Sequence, residues 1–283
     1  MQRNMKKRRM RNNDQAVVGV VITVLLIGLV VAVSVMINNV YVPQWLEEKE
    51  AAHMDQVSNQ FAQLKYALDV QTALEEPTAM SNFVTLGNEE IPIFGVGRTF
   101  GKLDIFSDVC DIRIQSNETG NTTINLGSIE YRSQNSYYVD QTYAYESGCL
   151  ILSQYEADMI LAKPTFIVTT YGENISFTMV NITSTIGKTA AAGFGTYPVH
   201  TEYQSTNVSV FTNVSNITVN TRYPNAWGIA FNSSLQGYLF SGFNYNLSYA
   251  EDQVVLSFTD PIRNLSVKKV TIFAQIAPGW IEE

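Results

Sequence analysis

The sequence predicts an α+β chain: an N-terminal transmembrane helix and an amphipathic stalk helix, followed by a mainly β, sandwich-like ectodomain. Three observations carry this. Residues 16–37 run for twenty-two positions without a charge, residues 44–74 repeat apolar side chains at helical spacing, and from about Thr85 the pattern becomes short runs of Val, Ile, Thr, Tyr and Phe between turn residues. With 46% hydrophobic and 16% charged residues, the 283-residue chain has ample material for a core. The boundaries fall at 1–15 for a basic head, 16–37 for the span, 38–76 for the stalk and 77–283 for the β-rich domain.

The head comes first. Residues 1–15 hold six basic side chains against the single acid Asp14, so of the net charge of -8 this segment carries +5 and the remainder -13. A net acidic remainder speaks against a nucleic-acid partner, which needs a basic surface to neutralise phosphates. Lys and Arg are retained on the cytoplasmic side, so the head is expected inside the cell and everything after Ile37 outside.

The segment AVVGVVITVLLIGLVVAVSVMI, at about 1.5 Å per residue, spans roughly 33 Å, enough for a hydrocarbon core of about 30 Å. It is longer than an ordinary signal-peptide core. The expected partner is the lipid bilayer, and Tyr41 and Trp45 fall where aromatic rings favour the outer interface.

Pro43 is expected to bend or interrupt the helix. The stalk helix then runs from about Gln44 to Leu74, with Val57, Phe61, Leu64 and Leu68 forming one stripe. That stripe packs either against its own domain or, as self-association, against the same helix of neighbouring subunits. Glu47, Glu48, Lys49, Glu50, Asp55 and Lys65 read as solvated charge, and His53 as a surface histidine.

Strands are expected at 102–106, 111–115, 165–171, 175–183, 208–212, 217–223, 254–258 and 267–277, with Gly172-Glu173 as a hairpin tip. Within Pro224–Leu235 a proline at the first turn and Trp227, Phe231 and Leu235 at four-residue steps predict a short helix over the sheet. The glycine cluster at 94–101 puts Phe100 where a dinucleotide fingerprint needs its third glycine, and reads as a turn.

Two features suit an exported domain. Cys110 and Cys149, both beyond the span, are expected as a disulfide. Glycosylation sequons occur at Asn117, Asn121, Asn174, Asn181, Asn207, Asn213, Asn216, Asn232, Asn246 and Asn264, ten of the seventeen asparagines after residue 80 and none of the six before it.

No arrangement of residues points to catalysis. The two histidines, His53 and His200, lack metal-site spacing, no Gly-x-Ser-x-Gly elbow is present, and no Asp-x-Asp-x-Asp loop is available for calcium. The expectation is a non-enzymatic protein without cofactor. Tyr137, Tyr138, Tyr143 and Tyr145 leave a small-ligand or sugar-binding module as a further alternative.

The basic head with Asp14, the run AVVGVVITVLLIGLVV, the segment Gln60-Phe61-x-x-Leu64-Lys65-x-Ala67-x-Asp69, the passage 86–105 ending Gly101-Lys102-Leu103-Asp104-Ile105, and Tyr223-Pro-Asn-Ala-Trp227 together resemble the archaeal type IV pilin-like membrane-anchored surface proteins of methanogens and halophiles. The resemblance implies a surface protein with a structural, adhesive or pilus-like assembly role. It also implies, as an alternative, a filament subunit released from its head by a class III signal peptidase near Gln15 or Ala16.

Overall fold

The computed structural model describes residues 13–87, 99–155, 157–169, 174–184, 187–236 and 244–276. Most of the glycine cluster at 94–101 and the expected tip Gly172-Glu173 lie outside them.

The chain begins with α1 (Asn13–Met36) and continues through a π-helical segment, Ile37–Tyr41, into α2 (Val42–Leu74). Pro43 does not interrupt this helix, which is continuous over the 58 residues Val17–Leu74. A proline lacks its N–H and crowds the carbonyl four residues back; the wider π turn just before Pro43 accommodates both defects. α2 stops at Glu75, whose left-handed backbone (φ 55°) directs its N–H back to the Gln71 carbonyl at 3.0 Å.

Twelve strands follow: β1 (Met80–Thr85), β2 (Phe100–Ser116), β3 (Gly120–Gln134), β4 (Thr142–Glu146), β5 (Cys149–Gln154), β6 (Ala157–Ala162), β7 (Phe166–Thr169), β8 (Asn174–Thr183), β9 (Ala190–Gly193), β10 (Thr196–Asn220), β11 (Tyr245–Ala250) and β12 (Gln253–Ile276). A helix, α3 (Pro224–Leu235), lies between β10 and β11 as its four-residue spacing predicts. Several expected strands are pieces of longer ones: 102–106 and 111–115 belong to β2, 208–212 and 217–223 largely to β10, and 254–258 and the described part of 267–277, up to Ile276, to β12. Bulges carry each strand across the interval.

Hydrogen bonding joins all twelve into one network, in the order β6-β5-β4-β3-β2-β10-β12-β8-β7, with β1 and β10, β11 and β12, and β9 and β2 paired beside this path. The described pairs are antiparallel except β8 with β12. The expected α+β, mainly β class is found; the strands form one hydrogen-bonded network on which α2 and α3 both pack. Successive strand residues point to opposite faces, and neighbours along one strand belong to different cores. Tyr143 and Tyr145 of β4, Leu150 of β5, and Val180 and Ile182 of β8 pack with α2, whereas Ala144, Cys149, Ile151, Phe177 and Met179 pack with α3.

Val57, Phe61, Leu64 and Leu68 are fully buried in the α2 core against Leu103, Ile129, Tyr131 and Val199. The stripe is thus occupied within its own chain, and these four side chains are not available to a neighbouring subunit. On the other face Trp227, Phe231 and Leu235 cover Ile112, Phe177, Val219 and Leu256. Phe166, Phe177, Trp227 and Phe231 meet in tilted and edge-to-face pairs with centroids 5.2–6.5 Å apart.

Candidate functional site: an exposed apolar helix locked to a sheet

The most conspicuous unsatisfied surface of the molecule is α1. Its large apolar side chains from Val17 to Met36 are all exposed, and no described residue before Val42 belongs to either core. In a medium without water a backbone must satisfy its own polar groups, which a helix does. The hydroxyls in the run do the same: Thr23 Oγ1 donates to the Gly19 carbonyl at 2.9 Å and Ser34 Oγ to the Val30 carbonyl at 2.8 Å. This helix is long and apolar enough to cross a membrane.

From Val42 onward the same helix becomes a structural part of the domain. Its buried face includes Val42, Leu46, Glu50, His53, Val57, Phe61, Leu64, Leu68 and Gln71, spaced at helical intervals. Glu50 and His53 are therefore not solvated, as the sequence reading expects, but buried. The Glu50 carboxylate accepts the backbone N–H groups of Ser136 at 3.0 Å, Tyr137 at 2.8 Å and Tyr138 at 2.7 Å, so the loop after β3 is clamped onto α2. Tyr131 donates to the Leu86 carbonyl at 2.9 Å, and His53 Nε2 lies 3.2 Å from the Tyr131 hydroxyl. Since that hydroxyl directs its proton to Leu86, the imidazole is the donor; burial pulls the His53 pKa down. Gln71 Nε2 donates to the carbonyls of Thr78 and Thr201 at 2.8 and 2.9 Å. The signal for Glu50 and His53 is present in the sequence, since they stand seven and four residues before Val57 on the same face.

The second cluster of buried polar groups lies under α3. Glu146, at the end of β4, accepts from Thr221 Oγ1 at 2.7 Å and Trp227 Nε1 at 2.6 Å. Glu130 of β3, equally buried, pairs with Arg132 and with Arg222 at 2.8 Å, and the Arg222 guanidinium also lies 5.0 Å from the centre of the Phe106 ring. Residues 221–227 thus pin the start of α3 to two carboxylates, and every donor named here is used in holding elements together. Burial pushes the Glu146 carboxyl up, against the opposing pull of its hydrogen bonds. Among the described residues no three His, Cys, Asp or Glu side chains converge to hold a metal ion.

Cys110 and Cys149 are both buried and both free thiols, which corrects the expected disulfide. The Glu146 carboxylate is their shared polar neighbour: it takes a hydrogen bond from Cys110 and faces Cys149 across the two-residue turn Ser147-Gly148, and burial pushes both thiol pKa values up.

Of the sequon asparagines, Asn181 faces inward. It is 9% exposed and its Oδ1 accepts the Gly127 N–H at 3.0 Å, so the folded domain has no room for a glycan there. The other nine are at least partly accessible. Several fall in rows. Asn121, Gln115, Asn216, Ser257 and Asn246 are successive partners across β3, β2, β10, β12 and β11, while Asn174 and Asn264 are partners across β8 and β12. Of the four tyrosines singled out in sequence, Tyr143 and Tyr145 are buried on β4, whereas Tyr137 and Tyr138 lie in the loop that Glu50 holds. A polar crevice of about 360 Å³ separates β3 from the middle of β10 and is lined by Thr122, Asn125, Asn207, Ser209 and Lys269 over Phe211.

Compared with family models, with curated proteins and with solved structures, the chain matches none.

Proposed function

We propose that this chain is a single-pass surface protein, non-catalytic, with its basic N-terminus in the cytoplasm and its sheet domain outside the cell in a structural or adhesive role. The observation that carries the reading is the unbroken apolar surface of α1, which the described residues leave uncovered while its helical continuation α2 is built into the domain core. The six basic side chains ahead of the span support the orientation. Accessible asparagines in rows on the sheet support a glycan-bearing exterior.

Tags at the two ends of the full chain test the reading. The chain is expected to stay in the membrane pellet through an alkaline wash, with the C-terminal tag accessible on intact cells and the N-terminal tag only after permeabilisation. Release by the wash, or the opposite accessibility, overturns it.

A second reading, a pilin-like filament subunit, is favoured by one observation: the helix passes Pro43 unbroken, so the apolar half and the domain-bound half form one continuous element. A mature N-terminus near Gln15 or Ala16, with filaments labelled by an antibody to the sheet domain, is the expected result under that reading. A mature chain starting at Met1 overturns it.

A further inference from the structure

We propose that the end of the sheet domain nearest α1 is a second membrane contact, an aromatic rim that seats on the lipid headgroup layer. The proposal rests on the membrane-anchor reading and adds a surface to it.

Strand direction assembles the rim. In the antiparallel series β9, β2, β3, β4, β5, the residue after β9, the start of β2, the end of β3, the start of β4 and the end of β5 fall at one edge; Phe100 is the partner of Gln134, and Thr142 of Ser153. The Glu50 clamp on residues 136–138 ties this edge to the part of α2 that leads to the span.

The edge lies on the side of the domain that faces the span. Val42 and Leu46, on the same helix face as Glu50 but nearer α1, are buried as well, so protein covers the helix to within five residues of Ile37. At about 1.5 Å per residue the covered helix begins roughly 8 Å above the apolar run, and Glu50, where the edge is tied, stands roughly 20 Å above it, so a tilt of the long helix toward the edge is what brings the rim down to the headgroup layer.

The side chains exposed there are those that favour a membrane interface. Tyr155 is 95% exposed, Tyr137 and Val139 are about half exposed, and Phe100 and Phe194 stack edge to face, 5.7 Å apart, with each ring still partly open. Val139 and Tyr155 line one shallow depression. The far turn of β2 and β3, Asn117-Glu118-Thr119, is polar and holds a sequon. The basic side chains nearest the rim are engaged with acids, Lys102 with Asp104 and Arg132 with Glu130. The contact is therefore one of aromatic rings with the interface and does not require anionic lipid.

The test uses the full chain reconstituted in phosphatidylcholine vesicles carrying a nitroxide on the lipid headgroup. Tyr155→Cys and Glu118→Cys chains are each labelled with a fluorophore under native conditions, where Cys110 and Cys149 are buried. Flotation of the same samples reads anchoring independently. Floating vesicles with quenching at position 155 at least threefold greater than at 118 are the expected result. Floating vesicles with equal quenching at the two positions overturn the rim alone and leave the anchor standing. Failure to float overturns both.

Discussion

His53 shows how one position changes meaning once its surroundings are known. Its Nε2 is engaged with Tyr131, while Nδ1 faces no partner among the described residues, so protonation would place a charge in a dry site, a cost that the pull of the Leu86 carbonyl offsets only in part. Burial holds its pKa below the ordinary 6.5. In the window below 6.5 the unfolded chain therefore binds more protons than the folded one, and stability, complete above that value, is lost as pH falls through the window. Glu75, drawn down by Lys268, acts in the same sense but at lower pH, whereas Glu146, pushed up by burial, acts oppositely, its contribution falling as pH rises. The urea midpoint of the chain in detergent is expected to be lower at pH 5.5 than at 7.5, and the difference to shrink in a His53→Gln variant. An unchanged difference in the variant would place the proton elsewhere. Asn181 belongs at the same scale. In β8 it has the parity of Ile175, Phe177 and Met179, which all point inward, so the strand pattern already marks this sequon as buried while the tripeptide rule alone does not.

At the level of elements, period is readable and continuity is not. The span, the amphipathic helix and α3 all carry their own spacing, and α3 is found at the residues expected. The strands were legible in pieces, because a bulge such as that between Phe106 and Cys110 breaks the local pattern without ending the strand. β1, β3, β4, β5, β6, β9 and β11 escaped the strand reading; between β4 and β5 the pair Ser147 and Gly148 takes positive φ, 51° and 87°, the requirement of a tight two-residue hairpin turn. Pro43 misled for a related reason: the π turn that absorbs it is a backbone adjustment with no sequence period. The Glu50 clamp is a contact between elements 86 residues apart, beyond any local rule. Substituting Glu50→Ala leaves three backbone donors to find water and is expected to cost about 2 kcal/mol. Amide hydrogen exchange at Ser136, Tyr137 and Tyr138 is expected to speed up, with Leu126–Ile129 in β3 unchanged. Unchanged exchange at the three loop amides would mean that Glu50 does not hold them.

The whole molecule is one hydrogen-bonded strand network with two helices packed on it and a third helical segment that contributes to neither core. The charge asymmetry and the apolar run announced that division in the sequence. The assembly of the strand network was hidden there, because β10 joins β1 and β2, which lie far from it in the chain, and only the folded chain brings them together. The close approach of β3 and β8 is equally non-local: a Cβ on Gly127 would lie 2.0 Å from the Ile182 carbonyl oxygen, so this glycine admits a backbone from the far side of the sheet order. Since every residue of both cores lies at or beyond Met54, and burial along the long helix begins at Val42, the fold's stability should be independent of α1. A chain lacking residues 1–41 is expected to be soluble without detergent and to unfold in a single cooperative transition. Its Tm should fall within about 3 °C of the full chain in mild detergent, about the shift that roughly 1 kcal/mol produces in a domain of this size. A truncated chain that aggregates, or melts without cooperativity, would mean that α1 is needed to fold the sheet as well as to hold it at a membrane.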